Sequence, residues 1–253
     1  MDSESLDSGF RKGLSLKGWG SRVGVLEGFG LDGRGFCGTL FSVPNFLRAR
    51  FFLTLLLFPI YLFLASCREV PKVPEGYIIF IGDSLTSPYG TVNEEETYPT
   101  LLGTAWGREV VNISQPGIRA TEAGEWAKKA MSDTAEARGK PSAVFLALGA
   151  NDQLSGVDAG EAGRKLEEMV RFAQGLGAKV FLVKCIVPLR NRGYASMYKQ
   201  ISRENNTELS GDVIEAYFGV QGGKDADGVH PTARGHEEMA SSLNKDFRHF
   251  FSR

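Results

Sequence analysis

The chain has 253 residues, of which 42% are hydrophobic and 23% are charged, and its net charge is −1. This composition is typical of a folded globular protein, and it excludes a disordered chain and a strongly basic nucleic-acid binder. Its three cysteines, Cys37, Cys67 and Cys185, do not combine with the histidines into a zinc motif. We therefore expect neither a metal nor a nucleic-acid partner, and no internal disulfide in the folded domain.

The first 46 residues differ in character from the rest of the chain. They are rich in glycine and show no helical or strand periodicity, so they predict no packed core. No methionine stands between Met1 and Met131. Residues 1–46 are therefore interpreted either as the result of a start assigned too far upstream, with a true start at Val43 or Leu47, or as a disordered extension.

Residues 47–66 have the organisation of a secretory signal peptide. Two arginines precede the uncharged apolar run 51–64, and Ala65, Ser66 and Cys67 follow it. A basic region, an apolar region and small residues at a cleavage site are the features of such a signal. The run of about 14 residues is shorter than the ~20 that a membrane-spanning helix needs.

The same segment ends in Leu-Ala-Ser-Cys, which resembles the lipobox of bacterial lipoproteins. The resemblance implies that Cys67 is the lipid-modified first residue of an exported, membrane-anchored protein of the bacterial cell envelope. A signal anchor, or a plain signal peptide with an accidental cysteine, remains an alternative. Residues 67–76 contain two prolines and are interpreted as a stiff tether to the domain of residues 77–253.

From residue 77 onward, apolar segments of strand type alternate with segments of helical periodicity. The predicted strands are 77–81, 109–113, 143–148, 179–187 and, with a weaker pattern, 212–216, which is interpreted as a strand or a strand end. The predicted helices are 98–106, 121–131 with Thr121 as candidate cap, one that starts behind the capping residue Asp158, 194–204, and a C-terminal helix. Alternation of this kind favours right-handed βαβ units, and hence an α/β fold with a mostly parallel sheet.

Glycine and polar residues follow three of these strands. Gly82-Asp83-Ser84 comes after the first strand, Gly117 after the second, and Gly149-Ala150-Asn151-Asp152 after the third. Because the carboxyl ends of parallel strands meet at one edge of the sheet, where ligands bind, we expect these segments to converge. Asp83 and Asp152 are expected to organise their loops by accepting backbone hydrogen bonds.

A serine at such an edge becomes a nucleophile when an imidazole takes its proton and a carboxylate holds the imidazole. Asp227 stands three residues before His230, so one turn can direct its carboxylate at the ring. The other histidines, His236 and His249, lie in the C-terminal helix and are expected at the surface. Taken singly, Ser84 also fits a helix cap and Asp227 a solvated turn.

The Gly-Asp-Ser-Leu segment, Gly117, Gly-Ala-Asn-Asp and Asp-Gly-Val-His appear in one order, and together they resemble the SGNH, or GDSL, hydrolase superfamily. The small bacterial esterase, lysophospholipase and thioesterase branch is the most similar. The resemblance runs from Tyr77 to the C-terminus and implies a flavodoxin-like three-layer α/β/α sandwich with about five strands.

The same resemblance assigns roles to individual residues. Ser84 is the expected nucleophile, His230 the base and Asp227 its carboxylate partner. The expected oxyanion hole consists of the Ser84 and Gly117 N–H groups and the Asn151 side-chain amide. No metal or other cofactor is implied.

Three functions remain open at this level. The first is hydrolysis of short-to-medium acyl esters, lysophospholipids or acyl thioesters through an acyl-enzyme. The second is removal of O-acetyl groups from a polysaccharide, and the third is a non-catalytic envelope-binding lipoprotein. Arg190 and Arg192 follow the fourth strand and are interpreted either as contacts for an anionic head group or as solvated loop residues.

Overall fold

The structure is a computed structural model that describes residues 71–188 and 193–252. The expectations for residues 1–66, for the lipidation of Cys67 and for Arg190 and Arg192 lie outside these residues. Within them, Cys185 is a buried free thiol directly after the fourth strand. No helix in the described ranges is both long enough and apolar enough to cross a bilayer.

Five parallel strands form one sheet in the order β2-β1-β3-β4-β5. The strands are β1 (Ile78–Gly82), β2 (Val110–Ser114), β3 (Ala143–Ala147), β4 (Lys179–Lys184) and β5 (Glu208–Asp212). Every residue of β1 and β3 is buried, because both faces of these central strands are covered by helices. The predicted parallel α/β sheet of five strands is confirmed.

Helices cover both faces of this sheet. After a short 3₁₀ turn (Glu94–Glu96), the helices are α1 (Tyr98–Trp106), α2 (Ala120–Arg138), α3 (Ala150–Ser155), α4 (Ala159–Gly175), α5 (Tyr194–Asn205), α6 (Val213–Phe218) and α7 (Ala233–Phe251). Residues of α2, α4 and α5 form one buried cluster with alternate strand residues. Residues of α1, α6 and α7 form a second buried cluster with the strand residues that point to the opposite face of the sheet. The sheet and the helices on its two faces make the three layers of the α/β/α sandwich.

An aromatic stack holds the second cluster together. Register pairs Phe80 with Phe145 and Phe145 with Phe181 on neighbouring strands. Their rings stack with centroid distances of 4.5 and 4.6 Å, and all three are fully buried. Since burying one phenylalanine stabilises the fold by roughly 1.5–3 kcal/mol, this stack is a major contribution to sheet stability.

Two sequence predictions about the helices and strands are wrong in detail. The weak strand predicted at 212–216 is the end of β5 followed by α6, because the Asp212 carboxylate accepts the Ile214 N–H at 3.1 Å and caps the helix. The N-cap of α2 is Arg119 rather than Thr121. Asp158 caps α4 as predicted, accepting N–H groups of Gly160 and Glu161.

His236 is not at the surface, contrary to the sequence prediction. Its side chain is buried on the core face of α7, and Nδ1 accepts the backbone N–H of Tyr98 at 3.2 Å. Burial lowers the pKa of His236 to about 4. The position lies three residues before Met239 and seven before Leu243, which is the spacing of one helix face. His249 is exposed, as predicted.

We predict that His236 lowers the free energy of unfolding as the pH falls. In the unfolded chain this histidine takes up its proton near pH 6.5, and in the native protein only near pH 4. Its contribution to the unfolding free energy is therefore fully present above pH 6.5 and is lost as the pH falls from 6.5 to 4. The expected loss from this group is about 3 kcal/mol by pH 4.

Urea unfolding between pH 8 and 4 compares the wild type with His236→Asn, which keeps an acceptor for the Tyr98 N–H. The difference between the two unfolding free energies cancels other titrating groups. If the unfolding free energies of the wild type and His236→Asn change with pH in parallel over this range, His236 is not the group that causes the loss of stability.

Candidate active site

Ser84 lies in a tight turn directly after β1. Gly82 permits this turn, because a Cβ there would lie 2.1 Å from Oγ1 of Thr86. Asp83 closes the turn, since its Oδ1 accepts the Leu85 N–H at 2.9 Å and its carbonyl accepts the Thr86 N–H at 3.0 Å. These contacts hold the Ser84 side chain at the carboxyl edge of the sheet, where it is largely buried.

Ser84, His230 and Asp227 form a continuous hydrogen-bonded chain. Ser84 Oγ lies 2.9 Å from His230 Nε2, and His230 Nδ1 lies 2.5 Å from Asp227 Oδ2. Asp227 Oδ1 also accepts the backbone N–H groups of Val229 and His230 at 2.8 and 3.0 Å. The imidazole bond first, and then these backbone bonds, lower the pKa of Asp227 to about 2, so the carboxylate is ionised at neutral pH.

The loop that carries Asp227 and His230 is fixed from two sides. The Asp225 N–H donates to the His230 carbonyl at 2.8 Å, and the Tyr217 hydroxyl donates to the Val229 carbonyl at 2.7 Å. Tyr217 lies on α6 and is itself buried. The sequence analysis did not single out Asp225 or Tyr217, because nothing in the local pattern shows which element the loop contacts.

The loop after β2 joins the loops after β1 and β3. The Gln115 N–H donates to the Gly82 carbonyl at 3.0 Å, and the Ile118 carbonyl accepts from Asn151 Nδ2 at 3.0 Å. Gly117 lies between these anchors with φ of +78°, a left-handed conformation that favours glycine. Among the described residues, the N–H groups of Ser84 and Gly117 have no hydrogen-bond acceptor.

Asn151 connects all three loops, because its Nδ2 also donates to Asp83 Oδ2 at 3.0 Å. Asp83 is fully buried, and burial raises its pKa to about 6. Asp83 thus organises the nucleophile turn with one oxygen and holds the Asn151 amide with the other. The predicted role of Asp83 as a loop-organising residue is confirmed.

Asp152, the other predicted loop organiser, caps a neighbouring helix. Its Oδ2 accepts the Ala120 N–H at 2.7 Å, and its Oδ1 accepts the N–H and the hydroxyl of Thr121 at 3.2 and 3.0 Å. A carboxylate from the loop after β3 therefore replaces the local cap that α2 lacks. These contacts hold the β2–α2 loop against the site.

An apolar cavity of about 150 Å³ opens beside Ser84 and His230. Its apolar lining consists of Leu85, Ala150, Leu154, Val187, Pro188, Ile214, Tyr217, Phe218 and Val229. Leu154 and Val229 are each 46% exposed, and with Tyr89 they are the exposed large hydrophobic residues of the described ranges. All three lie at the site, since the Tyr89 ring packs on His230. No motif predicted this lining, which five separate segments assemble.

The described residues hold no cluster of three or more histidine, cysteine or acidic side chains arranged for a metal ion. The groups at the site are a hydroxyl, an imidazole and a carboxylate in one hydrogen-bonded chain, an amide, and two backbone N–H donors with no acceptor among the described residues. Ser84, His230 and Asn151 border the apolar cavity. This donor set matches the requirements of acyl transfer, in which a nucleophile, a base and an oxyanion site must converge.

The fold and this site define a hydrolase acting on ester bonds. The chain belongs to the GDSL-like lipase/acylhydrolase family, whose model matches residues 80–238. It is 30% identical over 165 residues to Esterase TesA of Pseudomonas aeruginosa, which covers 61% of this chain and 79% of that protein.

Solved structures show the same fold. The psychrotrophic esterase EstA from Pseudoalteromonas sp. has a TM-score of 0.61 at 22% identity, covering 71% of this chain and all of that one. AlinE4, an SGNH-hydrolase family esterase, has a TM-score of 0.55 at 26% identity, covering 68% of this chain and 95% of that one. The predicted family and fold class are thereby confirmed.

Proposed function

We propose that the chain is a serine esterase that hydrolyses short-to-medium acyl esters, lysophospholipids or acyl thioesters through an acyl-enzyme on Ser84. The observation that carries the proposal is the pair of hydrogen bonds that joins Ser84, His230 and Asp227 beside an apolar cavity. In this assignment the cavity receives the acyl chain, and the alcohol or thiol part of the substrate faces solvent.

Acylation begins when His230 Nε2 accepts the Ser84 proton as Oγ attacks the carbonyl carbon. The Ser84–His230 distance of 2.9 Å is within the range for direct proton transfer. The resulting imidazolium is stabilised by Asp227, which is ionised and bound to Nδ1. His230 then donates the proton to the leaving oxygen or sulfur, so the ester bond breaks and the acyl group stays on Ser84.

The tetrahedral oxyanion is assigned to the N–H groups of Ser84 and Gly117 and to the Asn151 amide. The two backbone donors have no acceptor among the described residues, so they are available without breaking a hydrogen bond. The two Asn151 amide hydrogens already bond Asp83 and the Ile118 carbonyl, so Asn151 would have to share one with the substrate. One such donor is worth on the order of 2.7–4 kcal/mol of barrier.

Deacylation repeats the same proton transfers with water. His230 takes a proton from water as the water oxygen attacks the acyl carbon, and it returns that proton to Ser84 Oγ when the acyl bond breaks. The products are a carboxylic acid and the regenerated serine. The hydrogen bonds that join Ser84, His230 and Asp227 support these proton transfers.

We also propose that the protein is exported and anchored to the bacterial envelope through a lipid on Cys67. The support is the sequence of the basic residues, the apolar run and the Leu-Ala-Ser-Cys segment that precede the domain. Ser84 follows Cys67 by only 84 − 67 = 17 residues. The proposed anchor would hold the domain at the membrane through a short tether that leads into the amino end of β1.

Replacing Ser84 with alanine is expected to lower kcat/KM for p-nitrophenyl butyrate by at least about 10⁴-fold, because the nucleophile is lost. Ser87→Ala is the matched control: its hydroxyl is buried in the same turn and has no hydrogen-bond partner among the residues that the structure describes, so activity should stay within about twofold. Circular dichroism checks that both variants fold. Substantial turnover by folded Ser84→Ala would end the proposed mechanism.

The acyl preference is tested with p-nitrophenyl esters from acetyl to palmitoyl. An apolar cavity of about 150 Å³ in another protein holds benzene, so we expect kcat/KM to peak at acyl chains of about four to eight carbons. Ser84→Ala supplies the background rate. Activity confined to the acetyl ester would favour a polysaccharide O-acetyl esterase, and no turnover of any ester would favour a non-catalytic binding protein.

Lipidation is tested by growing a bacterial host with an alkyne-tagged palmitate. The full chain should incorporate the label and sediment with membranes, whereas Cys67→Ala should do neither. Cys185 is an internal control, because its buried thiol is inaccessible in the folded protein. Equal labelling of the wild type and Cys67→Ala would exclude Cys67 as the anchor.

A further inference from the structure

Tyr89 lies over one face of the His230 imidazole. The two ring centroids are 4.2 Å apart, and the ring planes are inclined by 35°. Tyr89 is nevertheless 41% exposed, so burial in the core does not account for its position. Asp227 and Ser84 occupy the two ring nitrogens of His230, and Tyr89 contacts the same ring from its face.

The loop that carries Tyr89 is anchored in this position. The Tyr89 carbonyl accepts the N–H of Val92 at 3.2 Å, and the Val92 side chain is buried. Gly90 in this turn has φ of +64°, and a Cβ there would lie 2.9 Å from Asp225 Oδ2. Since Asp225 also donates its N–H to the His230 carbonyl, the loops of Tyr89 and His230 pack against each other.

An aromatic ring at this place has two physical effects on a general base. It restricts rotation of the imidazole out of the line between Asp227 and Ser84. It also attracts a cation more strongly than a neutral ring, because the face of an aromatic system is electronegative. The second effect is largest when His230 carries the transferred proton, that is, in the transition states of the reaction.

We propose that Tyr89 is a positioning residue that orients His230 and stabilises its protonated form during catalysis. This rests on the proposed function, in which His230 is the base. Tyr89 acts through its ring, whose face lies on the imidazole, and the hydroxyl is not required. Any aromatic side chain at this position should therefore orient and stabilise His230, whereas a non-aromatic side chain of similar size should not.

The kinetic test compares Tyr89→Phe and Tyr89→Leu with the wild type, using p-nitrophenyl butyrate. Tyr89→Phe should keep kcat within about twofold. Tyr89→Leu should lose about tenfold in kcat with KM changed by less than about twofold, because the lost interaction acts on the transition state and not on substrate binding. Tyr89→Gln serves as a second non-aromatic variant if Tyr89→Leu does not fold.

A second measurement is independent of turnover. The chain has only three histidines, so the His230 ring protons can be assigned by NMR in Ser84→Ala, with and without Tyr89→Leu. The Tyr89 ring current should shift these protons, and the shift should persist in Tyr89→Phe and vanish in Tyr89→Leu.

Three results would overturn the role of Tyr89: an unchanged kcat in Tyr89→Leu, a loss that appears in KM alone, or His230 resonances that do not respond. These results differ from failure of the proposed function, which would appear as ester turnover by Ser84→Ala or as no turnover by the wild type.

Discussion

The register of the three central strands is the constraint on which the whole site depends. Gly82 at the end of β1 pairs with Ser114 at the end of β2 and with Ala147 at the end of β3. The three strands therefore end at one level, and the loops that follow meet in one place. Because one face of each central strand packs on each helix layer, a slip by one residue would turn every core side chain to the wrong side. The same packing that stabilises the core thus positions the nucleophile turn.

Buried polar groups then convert this convergence into a defined site. Asp83 and Asp152 are buried, and each bonds a segment other than its own, so unpaired they would cost far more in this low-dielectric interior than at the surface. Asn151 is half-buried and links the segments after β1 and β2 by donating to Asp83 and to the Ile118 carbonyl. The cost of burial is visible at Asp83, where burial disfavours the ionised carboxylate and raises the pKa to about 6. Asp227 is exposed to solvent and has a pKa of about 2, so two nearby aspartates have opposite environments and different tasks.

Much of the fold was predictable because local patterns and tertiary packing agree along most of the chain. Helix α1 has the predicted bounds, and Asp158 caps α4 as its position before the helix indicated. The predictions failed where a distant residue decides the local conformation. Asp152 caps α2 in place of Thr121, and His236 is buried because α1 presents a backbone N–H to its ring. At 212–216 the cause is local, because Asp212 is the N-cap of α6 and the apolar residues Val213 and Ile214 lie in that helix.

The sequence by itself determined the alternation of strands and helices, the order of the motifs and the identity of Ser84, Asn151, Asp227 and His230 as candidate site residues. The elements follow from periodicity and turn chemistry, and the candidate residues follow from the resemblance of the ordered motifs to a known family. Only the tertiary structure decided how far Ser84 lies from His230, which segments form the apolar cavity and that Tyr89 covers the imidazole. The reason is physical: these contacts join residues as much as 146 positions apart, so their geometry depends on the packing of the whole sheet.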